Sequence, residues 1–191
     1  DLARILASIC HGNIEPIKQL IENKEINQSI RGAGIESLTI LVVHKIVSRE
    51  VVTQYYKELF LKIYANKSSV LQSKEEQNYI LGALVMNSSM LAPVELQEYI
   101  EKTFNENLIR PIDFERYEFD DLLEIGSEAT LEKLRNNIDY SLIEDAISDI
   151  ESNYFVTFPL QQTRNTLTEV KGFSNSSNKS KSKAKNKKKR S

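Results

Sequence analysis

The chain has 191 residues, of which 40% are hydrophobic, 25 are Lys or Arg and 27 are Asp or Glu, so its formal net charge is −2. The longest apolar run, residues 40–43, is far too short to cross a bilayer, and the single cysteine excludes an intramolecular disulfide. The small net charge conceals an asymmetry, because residues 174–191 carry +8 and residues 1–173 carry −10. We therefore expect one cytoplasmic domain with a basic tail.

Apolar residues at helical spacing predict a series of helices in the first half of the chain. Residues 1–12 lack the basic start of a signal peptide and look like the second half of a helix, so we expect the natural chain to begin before Asp1. Asn13 and Ser48 are suitable N-caps, and Ser73 with Glu76 has the S-x-x-E spacing of a capping box. The predicted helices span 13–24, 28–45, 49–65 and 74–86.

Small residues lie in the middle of the apolar stripe of the second predicted helix. Ala33, Gly34 and Ser37 occupy that stripe between larger apolar residues. Because they carry little or no side chain, we expect another helix to approach closely there.

The second half of the chain has shorter helices. Pro93 suits the first turn of a helix, Pro111 ends the regular alternation, and Gly126 is a suitable C-cap. Ser141 and Glu144 form a second S-x-x-E pattern. The predicted helices span 93–109, 119–125, 127–137 and 141–155, and residues 156–173 are expected to be an extended segment or linker.

Pairs of helices with a repeat of about 35–45 residues are typical of α-solenoids, in which each pair covers the apolar face of the next. A compact helical bundle has the same periodicity, so the spacing alone leaves both architectures open.

Two stretches resemble a known family. Residues 30–38 look like the second helix of a HEAT-like repeat, and a longer block resembles the bacterial family catalogued as domain of unknown function 1186. The second likeness rests on Leu96, Ile100, Phe104, Leu108, Ile109 and Pro111, on the acidic pair Asp120 and Asp121, and on residues 143–151 with Tyr154 and Phe155.

The resemblance covers about residues 25–156 and implies an all-α fold, an α-α superhelix of HEAT-like repeats. It implies no activity. Some members of the family end in a zinc-binding SEC-C motif rich in Cys and His. This chain has no Cys after Cys10 and no His after His44, so the motif is absent and the Lys-rich tail stands in its place.

The sequence predicts no metal, no cofactor and no catalytic residue. Cys10 and His11 are adjacent and would point about 100° apart on a helix. His44 ends a different helix, where a histidine side chain interacts favourably with the helix dipole. Gly32 and Gly34 lie within a helix and lack the pattern of a phosphate-binding loop.

Acidic residues are plentiful, but a hydrolase would need two of them in one pocket. We expect a solvated acidic face instead, and an enzyme with an acidic pocket is the least favoured function. The residues concerned are Asp120, Asp121, Glu144, Asp145, Asp149 and Glu151.

Tyr55, Tyr56 and Tyr64 lie on the third predicted helix and are each able to stack on a nucleic-acid base. Their helical spacing favours a place in the core, with phenol groups that reach water.

The organisation we predict is a HEAT-like helical-repeat domain over 1–155, a linker over 156–173 and a disordered tail over 174–191. The expected function is that of a non-enzymatic scaffold or adaptor that binds a protein partner in its helical groove. The alternative is an RNA- or ribosome-associated protein in which the tail contacts phosphates. The composition of the tail is also compatible with contact to an anionic membrane, with folding back on the acidic residues 1–173, or with no partner. The residues that would make the anionic contacts are Lys179, Lys181, Lys183, Lys185, Lys187, Lys188, Lys189 and Arg190.

Overall fold

The computed structural model describes residues 2–65, 73–110 and 114–154, with side chains as far as residue 151. Within these ranges the chain forms nine α-helices, one short 3₁₀ helix and no strand, which confirms the all-α prediction. The helices are α1 (Leu2–Ile9), α2 (Glu15–Glu22), α3 (Gln28–Val43), α4 (Arg49–Tyr64), α5 (Lys74–Leu91), α6 (Gln97–Asn105), α7 (Arg116–Ile125), α8 (Ser127–Arg135) and α9 (Ala146–Tyr154), with the 3₁₀ helix at Ile138–Tyr140.

The helices form two layers. Helices α1, α3 and α5 pack side by side in one layer, and α7 and α8 continue it by packing on α5. Helices α2, α4 and α6 form the other layer: Lys62 of α4 reaches Glu22 of α2, and Tyr64 of α4 donates to the carbonyl of Tyr99 in α6. The pairs α2–α3 and α4–α5 therefore stack as in an α-α superhelix, which confirms the predicted fold class.

The central helix is α3, which packs on α1, α2, α4, α5 and α8. Its side chains Ile35, Leu38, Leu41 and Val43 are completely buried. A helix that is apolar on nearly all sides belongs in a core, because no face of it gains from contact with water.

Glycines allow the close approach that the sequence predicts for α3. A Cβ atom on Gly34 would lie 2.9 Å from Cγ1 of Ile21 in α2, and one on Gly32 would lie 2.9 Å from Cε1 of Tyr79 in α5. Both distances are shorter than a normal carbon–carbon contact, so α3 depends on these two glycines to touch both neighbours.

A buried polar network ties α3, α4 and α5 together. Thr39 donates to Oδ1 of Asn87 at 2.6 Å, and its hydroxyl lies 3.1 Å from that of Tyr56, which donates to the carbonyl of Ile35 at 2.7 Å. Thr39, Tyr56 and Asn87 are all completely buried. Because each buried polar group has a partner, the network fixes the relative positions of the three helices.

The predicted caps are correct at α4 and only partly correct at α5. Ser48 accepts from the backbone N–H of Val51, and Ser73 accepts from that of Glu76. The Glu76 carboxylate pairs with Arg31 of α3, so the reciprocal half of the capping box is replaced by a tertiary ion pair.

Three predicted helix starts in the second half are wrong. Helix α6 begins at Gln97 and not at residue 93, because residues 93–96 form turns, and it ends at Asn105 and not at residue 109. Helix α7 begins at Arg116 and not at residue 119, and just before it the backbone N–H of Glu115 donates to Oε2 of Glu118 at 2.7 Å. Helix α9 begins at Ala146 and not at residue 141, because Oδ1 of Asp145 accepts from the N–H of Ile147 at 2.9 Å. An aspartate close to the start, and not the predicted Ser141–Glu144 box, therefore caps α9.

Helices of the first half also differ from the prediction in their bounds. Helix α2 begins at Glu15 and ends at Glu22, so it is shorter than predicted. Its N-cap is Ile14 and not the predicted Asn13, whose Oδ1 accepts from the N–H of Glu15 at 3.3 Å. Helix α5 continues to Leu91, past the polar run 87–89. In that run the Asn87 amide donates to the carbonyl four residues earlier, as does the Ser89 hydroxyl, so these two groups are satisfied inside the helix. The buried hydroxyl of Ser88 between them has no hydrogen-bond partner among the described residues.

No helix among the described residues has the length and apolar content that a membrane crossing requires. The predicted linker over 156–173, the basic tail over 174–191, and Pro111 and Phe155 of the family pattern lie outside the described residues.

Candidate functional site

A groove of about 500 Å³ runs between α2 and α4, the first helices of two neighbouring pairs. The first helices therefore line it, not the second helices that usually line the concave face of a solenoid. Its volume falls in the range of about 300–1,000 Å³ that is usual for binding sites. The lining residues are Glu15, Lys18, Gln19, Glu22 and Asn23 of α2, and Tyr55, Glu58 and Lys62 of α4.

The amphipathic pattern of the two helices produces this groove. On α2, Ile17 and Ile21 face the core and are 3% and 0% exposed, which turns the polar positions outward. On α4, Val52 and Leu59 are completely buried and anchor the other wall. Both walls are therefore single helix faces fixed from below by core side chains.

Ion pairs organise the charges of the groove. Both carboxylate oxygens of Glu22 accept from Nζ of Lys62 at 2.7 Å, which links α2 to α4. Lys18 pairs with Glu15 at 2.9 Å within α2. Glu58 accepts from the amide of Gln54 at 2.9 Å, and within the described ranges it makes no ion pair. The lining thus has three carboxylates against two lysines, and the carboxylate in excess is that of Glu58.

Tyr55 is the aromatic residue in the lining. Its side chain is 3% exposed, and its hydroxyl is buried beside the carboxylate of Glu22. Burial raises the pKa of Tyr55, and the nearby Glu22 raises it further. Both effects favour the protonated phenol. The ammonium of Lys18 lies 5.2 Å from the centre of the ring.

The acidic residues singled out in the sequence do not meet in one pocket. Asp120 and Asp121 are exposed on α7, and Asp145 caps α9. Asp149 pairs with Arg4 of α1, whose guanidinium is almost fully buried. Within residues 2–65, 73–110 and 114–154 no three His, Cys, Asp or Glu side chains are placed to hold a metal ion.

Charge is concentrated in the last described third of the chain, which the sequence analysis did not separate from the rest. Residues 115–151 contain twelve acidic and three basic residues, a net charge of −9, and we call them the acidic segment. Most of the −10 of residues 1–173 therefore lies in this segment, on α7, on α9 and in the connections before and between the helices. Counting charge segment by segment, and not over residues 1–173 together, would have revealed this concentration of acidic residues.

Helix α1 and the end of α3 hold the acidic segment in place. Arg4 donates to the carbonyl of Ser141 at 3.1 Å, and Ser8 accepts from the N–H of Ile143 at 2.9 Å. His44 is at the C-terminal end of α3, as predicted, and its Nε2 lies 2.9 Å from the carbonyl of Tyr140. His44 therefore has a structural contact that joins distant parts of the chain.

The remaining candidates are also structural. Tyr55 and Tyr56 are buried, and Tyr64 stacks on Phe60 with ring centres 5.9 Å apart, which agrees with the predicted place in the core. The prediction that the phenol groups reach water is wrong for Tyr55 and Tyr56, whose hydroxyls are buried. His11 is exposed and Cys10 half-buried. The basic residues 179–190 lie outside the described ranges, so their anion contacts stay a prediction.

Comparisons with known proteins point to one family. Residues 1–157 match the family model described as "Protein of unknown function (DUF1186)". The chain is 31% identical over 163 residues to an uncharacterized protein of Chlamydia trachomatis serovar D, which covers 84% of this chain and 59% of that protein. It is 28% identical over 162 residues to one of Chlamydia muridarum, which covers 84% of this chain and 60% of that protein.

The chain thus spans about three fifths of the length of the curated relatives it matches. No solved structure matches it.

Proposed function

The chain belongs to the DUF1186 family, and on this premise we propose that it is a non-enzymatic scaffold or adaptor, acting in the cytoplasm, whose helical array binds a protein partner. The observation that carries the proposal is the polar groove between α2 and α4. It crosses two neighbouring helix pairs, and its lining supplies fixed charges and hydrogen-bonding groups on a rigid base.

The physical character of the groove supports protein binding. Solenoids present extended surfaces made of successive repeats, and such surfaces suit extended partners. The walls are held by buried side chains such as Ile21 and Leu59, so the backbone of the groove loses little conformational freedom when a partner binds. Most lining residues are polar, as at the hydrated interfaces of transient protein complexes.

Site-specific photocrosslinking tests this function. We expect a photoreactive benzoylphenylalanine at Gln19, in the groove, to give one discrete adduct with a partner protein in cells that express the full chain. The control places the same residue at Ala129, which is exposed on α8 and outside the groove. Mass spectrometry then identifies the partner, and the purified proteins are tested for direct binding. Equal adducts from both positions, or none from Gln19, would rule out the groove as the partner surface.

Nucleic-acid binding through the tail is the second candidate, and the specific observation that favours it is the +8 charge of residues 174–191, which contain no acid. We expect the logarithm of the RNA-binding constant to fall with the logarithm of salt concentration by about 0.7–0.9 per phosphate contact, for up to eight contacts.

The measurement compares the full chain with a full-length variant in which the eight basic residues of 179–190 are replaced by glutamine. Loss of most of the affinity and of the salt dependence supports the second candidate. If the variant binds RNA as tightly as the unchanged chain, the tail does not supply the affinity.

A further inference from the structure

We propose that residues 156–160 of this chain dock on the outer face of α1 and cover the exposed end of the helical array. The outer face is formed by Leu2, Ile5 and Ile9, which follow one another at helical spacing along one side of α1. Their side chains are 39%, 43% and 63% exposed. The inference goes beyond the proposed function, because α1 contributes no residue to the groove between α2 and α4.

The other two sides of α1 are already in contact with the rest of the protein. Ala3 and Ala7 are buried where α1 packs on α3. Arg4 and Ser8, the polar residues of α1, bond to residues 141–149. The remaining side is the apolar outer face, although the end of a solenoid normally presents a polar surface to water. A helix that is apolar on all sides gains stability when each side is covered, so the outer face has the character of a contact surface.

The path of the chain leads to this face. The hydroxyl of Ser8 accepts from the N–H of Ile143 at 2.9 Å, and Arg4 pairs with Asp149. Between Ile143 and Asp149 the chain therefore runs beside α1 toward the N-terminal end of that helix. Helix α9 continues for about 7.5 Å beyond Asp149, to Tyr154. The residues that follow α9 thus start close to one end of the outer face.

The sequence of residues 156–160, VTFPL, suits an extended segment with one apolar side. Val156, Phe158 and Leu160 occupy alternate positions, so an extended backbone directs all three side chains the same way. Pro159 disfavours a helical conformation of the residue before it, which favours this extended backbone. Alternate side chains of an extended chain are about 6.6 Å apart, so the three span about 13 Å, and the outer face is about 10 Å long. The apolar side of the segment and the outer face therefore match in length.

A short tether favours this segment over other occupants of the outer face. Residue 155 alone separates α9 from residues 156–160. A segment held so close has an effective concentration on the order of millimolar, which a second copy or another protein in solution must exceed in order to compete. The basic residues 179–190 do not suit the face, because this stretch has no apolar residue larger than Ala184.

NMR of the full chain with ¹³C-labelled methyl groups tests the inference. We expect nuclear Overhauser contacts between the ring of Phe158 and the methyl groups of Ile5 and Ile9. Phe158→Ser should abolish these contacts and make the amide hydrogens of α1 exchange about three- to tenfold faster, because local opening of the helix becomes easier. The matched control is Phe173→Ser, which removes an aromatic ring from the same linker outside residues 156–160 and should change neither measurement.

Two variants of α1 and α3 test the other side of the contact. Ile5→Ser removes an apolar side chain from the outer face and should also accelerate amide exchange at residues 156–160. Ile30→Ser is its control, because Ile30 has a similar exposure, 39%, but lies on α3 outside this face. It should leave the exchange of residues 156–160 unchanged.

A mixture of differently labelled copies shows which molecule supplies the segment. Contacts within one copy support the inference, whereas contacts that appear only between copies assign the outer face to a second copy and overturn it. Absence of any contact between Phe158 and α1, contacts of Phe158 with the acidic segment alone, or equal amide exchange in α1 for the unchanged chain and Phe158→Ser would also overturn it. The proposed function is decided separately, by crosslinking from Gln19.

Discussion

Replacing Arg31 by alanine is expected to lower the free energy of unfolding by about 3–5 kcal/mol, because it leaves a buried carboxylate without its main charge partner. Arg31 is completely buried and Glu76 is 8% exposed. The guanidinium donates to the carbonyl of Ile21 at 2.7 Å and to the Glu76 carboxylate. It therefore joins α2, α3 and α5, and its loss affects two helix pairs at once.

The pKa of Arg31 shows the same competition. Desolvation lowers it and the carboxylate of Glu76 raises it, so the charged form is kept in the core by its partner.

Urea unfolding of the full chain measures the effect. The control is Arg116→Ala, whose side chain is 47% exposed and whose ion pairs lie at the surface, where about 1 kcal/mol or less is expected. The double variant Arg31→Met/Glu76→Leu should be less destabilised than Arg31→Ala, because no charge is left buried. Equal losses for Arg31→Ala and Arg116→Ala would show that the ion pair does not hold the helix pairs together.

Phe119→Ala is expected to cost about 3–5 kcal/mol and to release α7 from the core. Phe119 is completely buried and is the fully packed side chain of α7. Its ring centre lies 6.4 Å from that of Phe104 in α6, which also stacks on Phe114. The other apolar residues of α7 that pack on the core, Leu122 and Leu123, are only partly buried, so fewer contacts oppose its detachment.

The matched control is Tyr117→Ala on the same helix, where the aromatic side chain is 60% exposed and little stability should be lost. Urea unfolding measures the free energy, and limited proteolysis reports whether residues 116–125 become accessible. A small loss for Phe119→Ala with unchanged proteolysis would contradict the role given to this ring.

Periodicity predicted the helices well because helical spacing of apolar residues reports which face is buried, and this is a local property. The small residues around Gly34 correctly predicted a close helix contact for the same reason. The S-x-x-E patterns were less reliable. At α5 the Glu76 carboxylate is drawn to Arg31, and at α9 Asp145 is closer to the helix start than Ser141. The first result depends on a tertiary contact that spacing does not contain, and the second on a choice between neighbouring local caps that the S-x-x-E pattern alone does not decide.

The groove was not predictable residue by residue. Glu15, Glu22 and Glu58 have the sequence pattern of ordinary solvated helix faces, and only the packing of α2 beside α4 brings them together. The burial of the Tyr55 hydroxyl beside Glu22 is equally invisible in the sequence, because it depends on the same packing of α2 beside α4. The expectation of a partner in a helical groove was general, and the groove between α2 and α4 is the location that we propose for it.

Carboxylate footprinting of the full chain, alone and bound to the partner captured from Gln19, tests the central claim most directly. Carbodiimide coupling labels accessible carboxylates, and mass spectrometry reads the label at each one. We expect Glu15 and Glu58 to lose most of their reactivity in the complex, while Glu50 on α4 and Glu132 on α8 keep theirs. Protection confined to the acidic segment, or unchanged labelling of Glu15 and Glu58, would contradict a partner surface between α2 and α4.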